Sequence, residues 1–231
     1  LGGDTYRTMR RYAQAVRAYD QALILAPDLH VAAVQKGWTY VIWHGQLDTL
    51  RGVLNRVPRD ADLGSLWTRA AQHVRLLHWE RQADSLLWIL VTARVGVFEW
   101  QESFRPGSLY AAWAHQLRGD RSAARAAFDS ARVLLDSVVG ELADDYRVHA
   151  ARGLALAGLG RRDDALREAR WLQESVVYRE DAYMGPSLAE DRARILAQAG
   201  EVEAALDEIE RLLARPSYSL SVHTLPLEPL W

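Results

Sequence analysis

The chain contains no cysteine, which excludes disulfides, thiolate metal sites and cysteine nucleophiles while leaving the redox compartment open. It has one lysine, Lys36, against 27 arginines, a balance expected of a GC-rich genome and not a chemical signal. Strong charge of either sign is also missing. The net charge is −2 over 231 residues, with 13 Lys and Arg against 10 Asp and Glu through residue 115 and 15 against 20 beyond it. No basic stripe is present, so nucleic acid is not an expected partner. The longest apolar run, Ser85 to Ala93, is far short of the roughly 20 residues that cross a bilayer, and no membrane insertion is expected. No signal peptide opens the chain, which is expected to begin inside a larger protein. The expected location is cytoplasmic, or periplasmic if that parent is membrane-anchored. What is there is ordinary for a folded soluble chain: 49% hydrophobic and 25% charged residues.

One phrase returns along the chain, as Gly119 to Ala124 (GDRSAA), Gly160 to Ala165 (GRRDDA) and Gly200 to Ala205 (GEVEAA). Each glycine closes one Ala-, Leu- and Arg-rich helical stretch and each alanine sits inside the next, so the unit is helix, tight turn, helix. Recurrence at a near-fixed period marks a stacked array. A first unit aligns through Gly3, Tyr6, Ala15, Tyr19, Ala22 and Pro27, and a second through Val34, Trp38, Gly45, Leu50, Leu54 and Pro58. The third is read as Trp67, Ala71, Val74, Ala83, Leu87 and Leu90, with His78 where the turn glycine is expected. Small residues at the eighth and twentieth offsets let paired helices approach, and larger ones at the eleventh and twenty-fourth fill the space beside them. Asp120, Asp163 and Asp164 are expected to cap second helices.

These offsets resemble the tetratricopeptide repeat. The resemblance implies an all-α, right-handed α-solenoid of about six helix pairs, the first incomplete, with essentially no strand. The close-packed positions fall at 15, 50, 83, 124, 165 and 205. The wider later intervals predict long second helices, such as Arg121 to Gly140. The chain is thereby read as repeats 1 to 3 over 1–95, an irregular junction over 96–107, repeats 4 to 6 over 108–215 and a tail over 216–231. The junction carries Phe98, Trp100, Phe104 and Pro106 and is read as a bend.

Residues 105 to 231 further resemble the C-terminal repeat region of multidomain bacterial signalling proteins, through stretches such as RVHAARGLALAGLGRRDDALREA and the terminal LPLEPLW. In that family such arrays follow a serine/threonine kinase, a nucleotide cyclase or a winged-helix DNA-binding domain. Its members carry LRLDPxW before a terminal cap helix. Leu225 to Trp231 departs from that pattern at Pro226 and Glu228, and the cap helix is expected to be missing.

Candidate chemistry is sparse. His73 and His78 stand five apart, not the four that puts two histidine ligands on one helix face, so no metal and no cofactor is expected. The pairs Asp144 and Asp145, Asp163 and Asp164, and Glu190 and Asp191 are read as helix-start charges. Gly2 and Gly3 make no phosphate loop, and Ser65 and Ser108 lack a nucleophile-elbow context. Trp38, Trp67 and Trp88 fall on packing offsets and are expected in the core. The repeat resemblance places the groove-lining residues on the first helices. It points to Gln35, Thr39, Trp43, Gln72, Leu109, Trp113, Leu154 and Arg194 as a concave stripe for a protein or peptide. The Lys, Asn and Arg set of the peptide-carboxylate clamp is missing at these offsets. The expected function is a non-catalytic scaffold or regulatory module. The alternatives are the C-terminal part of an enzyme whose catalytic domain lies elsewhere, and self-association through terminal helices.

Overall fold

The computed structural model describes residues 2–61, 63, 68–94, 96–217 and 219–231, so Trp67 and Ser65 lie outside the described residues. The protein is mostly helical, 73% of it. The described α-helices are α1 (Gly2–Thr8), α2 (Tyr12–Leu25), α3 (His30–His44), α4 (Leu47–Arg56), α5 (Arg69–Trp79), α6 (Ala83–Ala93), α7 (Gly107–Leu117), α8 (Arg121–Glu141), α9 (Tyr146–Gly158), α10 (Arg162–Glu174), α11 (Val176–Glu180), α12 (Met184–Gln198) and α13 (Val202–Ala214). They pack as six successive hairpins, α1 on α2, α3 on α4, α5 on α6, α7 on α8, α9 on α10 and α12 on α13, each resting on the next.

The first helix of a hairpin is the inner one. In α12 eleven residues are buried and in α9 nine, against three in α13 and four in α10. The amphipathic second helices cover the first from solvent, and in α12 the buried set includes the charged Glu190, Asp191 and Arg192. Close approach between layers relies on small residues. A Cβ added to Gly153 would come within 2.5 Å of Ile195 in the next hairpin.

The turns follow the recurring phrase. Gly45, Gly119, Gly160 and Gly200 all take the left-handed conformation, which glycine adopts without steric cost. In the first and third hairpins an arginine stands there instead, Arg10 and Arg81. Arg81 precedes the fully buried Leu86 by five residues, so the third repeat runs three residues later than the frame set by His78 and Ala83. The caps at Asp120 and Asp145 form as expected, each side chain accepting a backbone N–H of the first turn.

Other expectations are corrected. The junction is a β-hairpin, with β1 (Val97–Trp100) antiparallel to β2 (Ser103–Pro106) in the register Val97 to Pro106 and Trp100 to Ser103. Phe98 and Trp100 alternate with exposed Glu99, the period of two that a strand needs, while β2 is buried along its length against α7 and α9. The long helix α8 is present, but the extra residues after α10 form the separate short α11. Glu190 and Asp191 sit mid-way along α12, buried, and not at a helix start. Trp38 is buried as expected, whereas Trp88 is 66% exposed, because the three-residue shift turns it to the outer face of α6.

Candidate functional site

The inner face of the stack is filled by the chain's own C-terminal segment, residues 219–231. Ser221 Oγ donates to the Ile42 carbonyl at 2.7 Å, and Arg81 Nη2 donates to the Pro226 carbonyl at 3.3 Å. Leu227 packs beside Trp38 and Leu54, and Leu230 joins the main core with Trp113 and Leu154. A short turn over Leu225–Leu227, opened by Ser221 and Thr224 bonding to each other's backbone and side chain, gives the segment its bend.

Glu228 anchors the segment. Its Oε1 meets His78 Nε2 at 3.2 Å and its Oε2 meets Arg194 Nη2 at 2.9 Å. Burial alone would raise its pKa, but the Arg194 guanidinium and the His78 contact outweigh it and hold the carboxyl down at about 2. Arg194 also pairs with Glu190 and, at 2.9 Å, with Asp191. Burial would lower its pKa, yet these three carboxylates raise it. Asp191 in turn accepts from Arg105 Nη2 at 2.6 Å, and Ser219 Oγ donates to Glu190. Tail, α5, α12 and β2 are thus joined through one network of buried charges.

Beneath that network lies a cavity of about 100 Å³. Arg75, His78, Arg105 and Arg194 line it with Glu102, Glu190, Asp191 and Glu228. Trp79, Trp100, Tyr110 and Trp113 supply its apolar wall. Tyr110 is pushed up by burial. The arrangement can hold acceptor-bearing groups against fixed cations and donors. Compared with family models, with curated proteins and with solved structures, the chain matches none.

The stripe expected from sequence is distributed over several roles. Trp113, Leu154 and Arg194 line the cavity. Gln35 accepts from Arg7 Nη1 at 2.8 Å and so is engaged between the first two hairpins, while buried Thr39 donates to the Gln35 carbonyl within α3. Gln72 accepts from Trp38 Nε1 in the core, Leu109 is fully buried, and the partly buried Trp43 stacks on His44 with ring centres 4.3 Å apart. Sequence reasoning missed Arg75, His78, Arg105 and Glu228. In the corrected frame of the third repeat Arg75 and His78 occupy the ninth and twelfth offsets, which are groove positions. The signal available was Leu86, an apolar residue five after an arginine.

A second buried cluster joins α8, α9 and α10. His149 Nδ1 lies 2.6 Å from Glu168 Oε2 and its Nε2 lies 2.8 Å from the Ala143 carbonyl, while Trp171 stacks on the ring. The Ala143 carbonyl can only accept, and with a carboxylate at Nδ1 the arrangement favours a ring that carries both protons. Burial works against that charge, but Glu168 and the carbonyl prevail and raise the pKa. Arg152 bridges Glu168 to Asp136. Forty residues on, Arg192 pairs with Glu208 at the same offsets.

Proposed function

We propose that the chain is a non-catalytic interaction module that holds a protein segment along the inner, concave face of its hairpin stack. In this reading the stack is a right-handed array of about six tetratricopeptide-like pairs and forms the C-terminal region of a bacterial signalling protein. One observation carries it: residues 219–231 lie on that face, folded through turns and bonded to the Ile42 carbonyl of α3 and to charged side chains of α5 and α12. The tail then acts as an occupant in cis, and a partner segment takes its place.

The test is a protease site inserted after exposed Arg215, so that cleavage leaves every residue present. Fluorescence anisotropy would follow a labelled peptide of residues 219–231 added to the nicked protein. Saturable exchange with retained helical circular dichroism supports a recognition groove. Loss of helix on release of the tail, or no exchange at all, makes the tail a fixed structural part and removes the reading.

A further inference from the structure

The inner cavity holds both satisfied and unsatisfied polar groups. Its carboxylates are engaged: Asp191 by Arg105 and Arg194, Glu190 by Arg194 and Ser219, Glu228 by His78 and Arg194, and Glu102 by the Tyr183 hydroxyl. Among the described residues, four buried polar atoms of residues that line the cavity have no partner. Arg105 Nη1 and Trp113 Nε1 can only donate, while Ser103 Oγ and His78 Nδ1 can donate or accept. The residues are 7%, 4%, 6% and 4% exposed in that order. Ser103 and Arg105 are two apart on β2, so their side chains leave the strand on the same side. Arg75, on the same wall, makes no ion pair among the described residues and sits 4.3 Å from the Trp38 ring.

Leaving a buried donor unmatched costs about 1 to 3 kcal/mol, so two groups that can only donate and two that can donate, all on residues of one lining, call for an acceptor-bearing occupant. Its size is bounded: about 100 Å³ is the share of about three water molecules. We propose that this cavity is a binding site for a free short-chain carboxylate. The carboxylate oxygens accept from Arg105 Nη1, Ser103 Oγ and Trp113 Nε1, and the short stem lies against Leu154 and Leu230. A guanidinium edge with a second donor beside it suits the planar two-oxygen geometry. The site goes beyond the segment-binding reading, because its occupant is a small free acid and not a chain segment.

Nitrogen-15 spectra of the full chain resolve its nine tryptophan indoles, and Trp113→Phe assigns the one of interest. Sodium acetate is titrated against sodium chloride at matched ionic strength. The expected result is a saturable shift of the Trp113 indole with acetate alone, whose half-saturation rises roughly tenfold in Ser103→Ala, the loss of one hydrogen bond to a charged group. If Trp113→Phe fails to fold, Ser103→Ala still decides, since that residue contributes one hydroxyl. A linear shift, an equal shift with chloride or an undiminished response in Ser103→Ala each overturns the site. None of these outcomes bears on whether the nicked tail exchanges.

Discussion

At Glu228 burial and charge pull in opposite directions, and charge wins. A carboxyl held at about 2 against an ordinary 4.5 contributes stability that is fully present above the ordinary value and lost as pH falls from there towards 2. Glu228→Gln should therefore flatten the decline in unfolding free energy between pH 5 and 2, measured by urea titration at several pH values. At neutral pH the same change should cost about 3 kcal/mol, the low end for breaking a buried pair, because Arg194 keeps Glu190 and Asp191. An unchanged acid limb would mean that the tail leaves the groove in solution. His149 has the opposite sign. Its pKa is raised above 6.5, so its contribution is complete below that value and disappears as pH rises through the raised one. Proton spectra of the imidazole should show a midpoint above 6.5, and one at or below it would remove the argument for a doubly protonated ring.

At the scale of the elements, the helices and four of the turns were legible because glycine announces a left-handed residue, as at Gly160 and Gly200. The turns at Arg10 and Arg81 were hidden, since nothing local marks an arginine as left-handed. A three-residue error in the third repeat then sent Trp88 into the core and kept Arg75 and His78 out of the groove. The β-hairpin was missed because four residues of alternation, Val97 to Trp100, are too few to outweigh an irregular reading. Little of the candidate site could be read at all: Glu228 meets His78 across 150 residues of chain, and only the fold brings them together. Two substitutions test the element-level account. Ala165 is fully buried where α10 meets α9, so Ala165→Leu should destabilise by about 1 to 3 kcal/mol through overpacking. Arg94 ends α6, is exposed and is left-handed with φ 50°, so Arg94→Gly should raise the thermal midpoint, by up to about 1 kcal/mol of stability. A fall in the Arg94→Gly midpoint would show that the turn is not strained.

Across the whole molecule, a stack in which each hairpin meets only its neighbours would open from its ends, since terminal units have one interface and inner ones two. Here the two ends are tied. Arg10, in the turn between α1 and α2, donates to the Leu213 carbonyl and, at 2.9 Å, to the Leu212 carbonyl at the end of α13. Its Nη2 reaches the Leu220 carbonyl at 3.5 Å, where the tail begins its path along the groove. A cation at a helix carboxyl end satisfies orphan carbonyls and the helix dipole together, so one side chain closes the first hairpin onto the last and holds the tail entrance. Arg10→Ala should undo that closure without touching the middle of the stack. Hydrogen exchange is the measurement, with amides of α1 and of residues 212–231 expected to quicken by roughly tenfold, as for the loss of about 1.4 kcal/mol, while Ala150 to Ala157 in α9 keep their protection. Equal acceleration from end to end would mean that closure stabilises the molecule as one cooperative unit. No acceleration anywhere would mean that the ends are held by packing alone and that the Arg10 contacts are incidental.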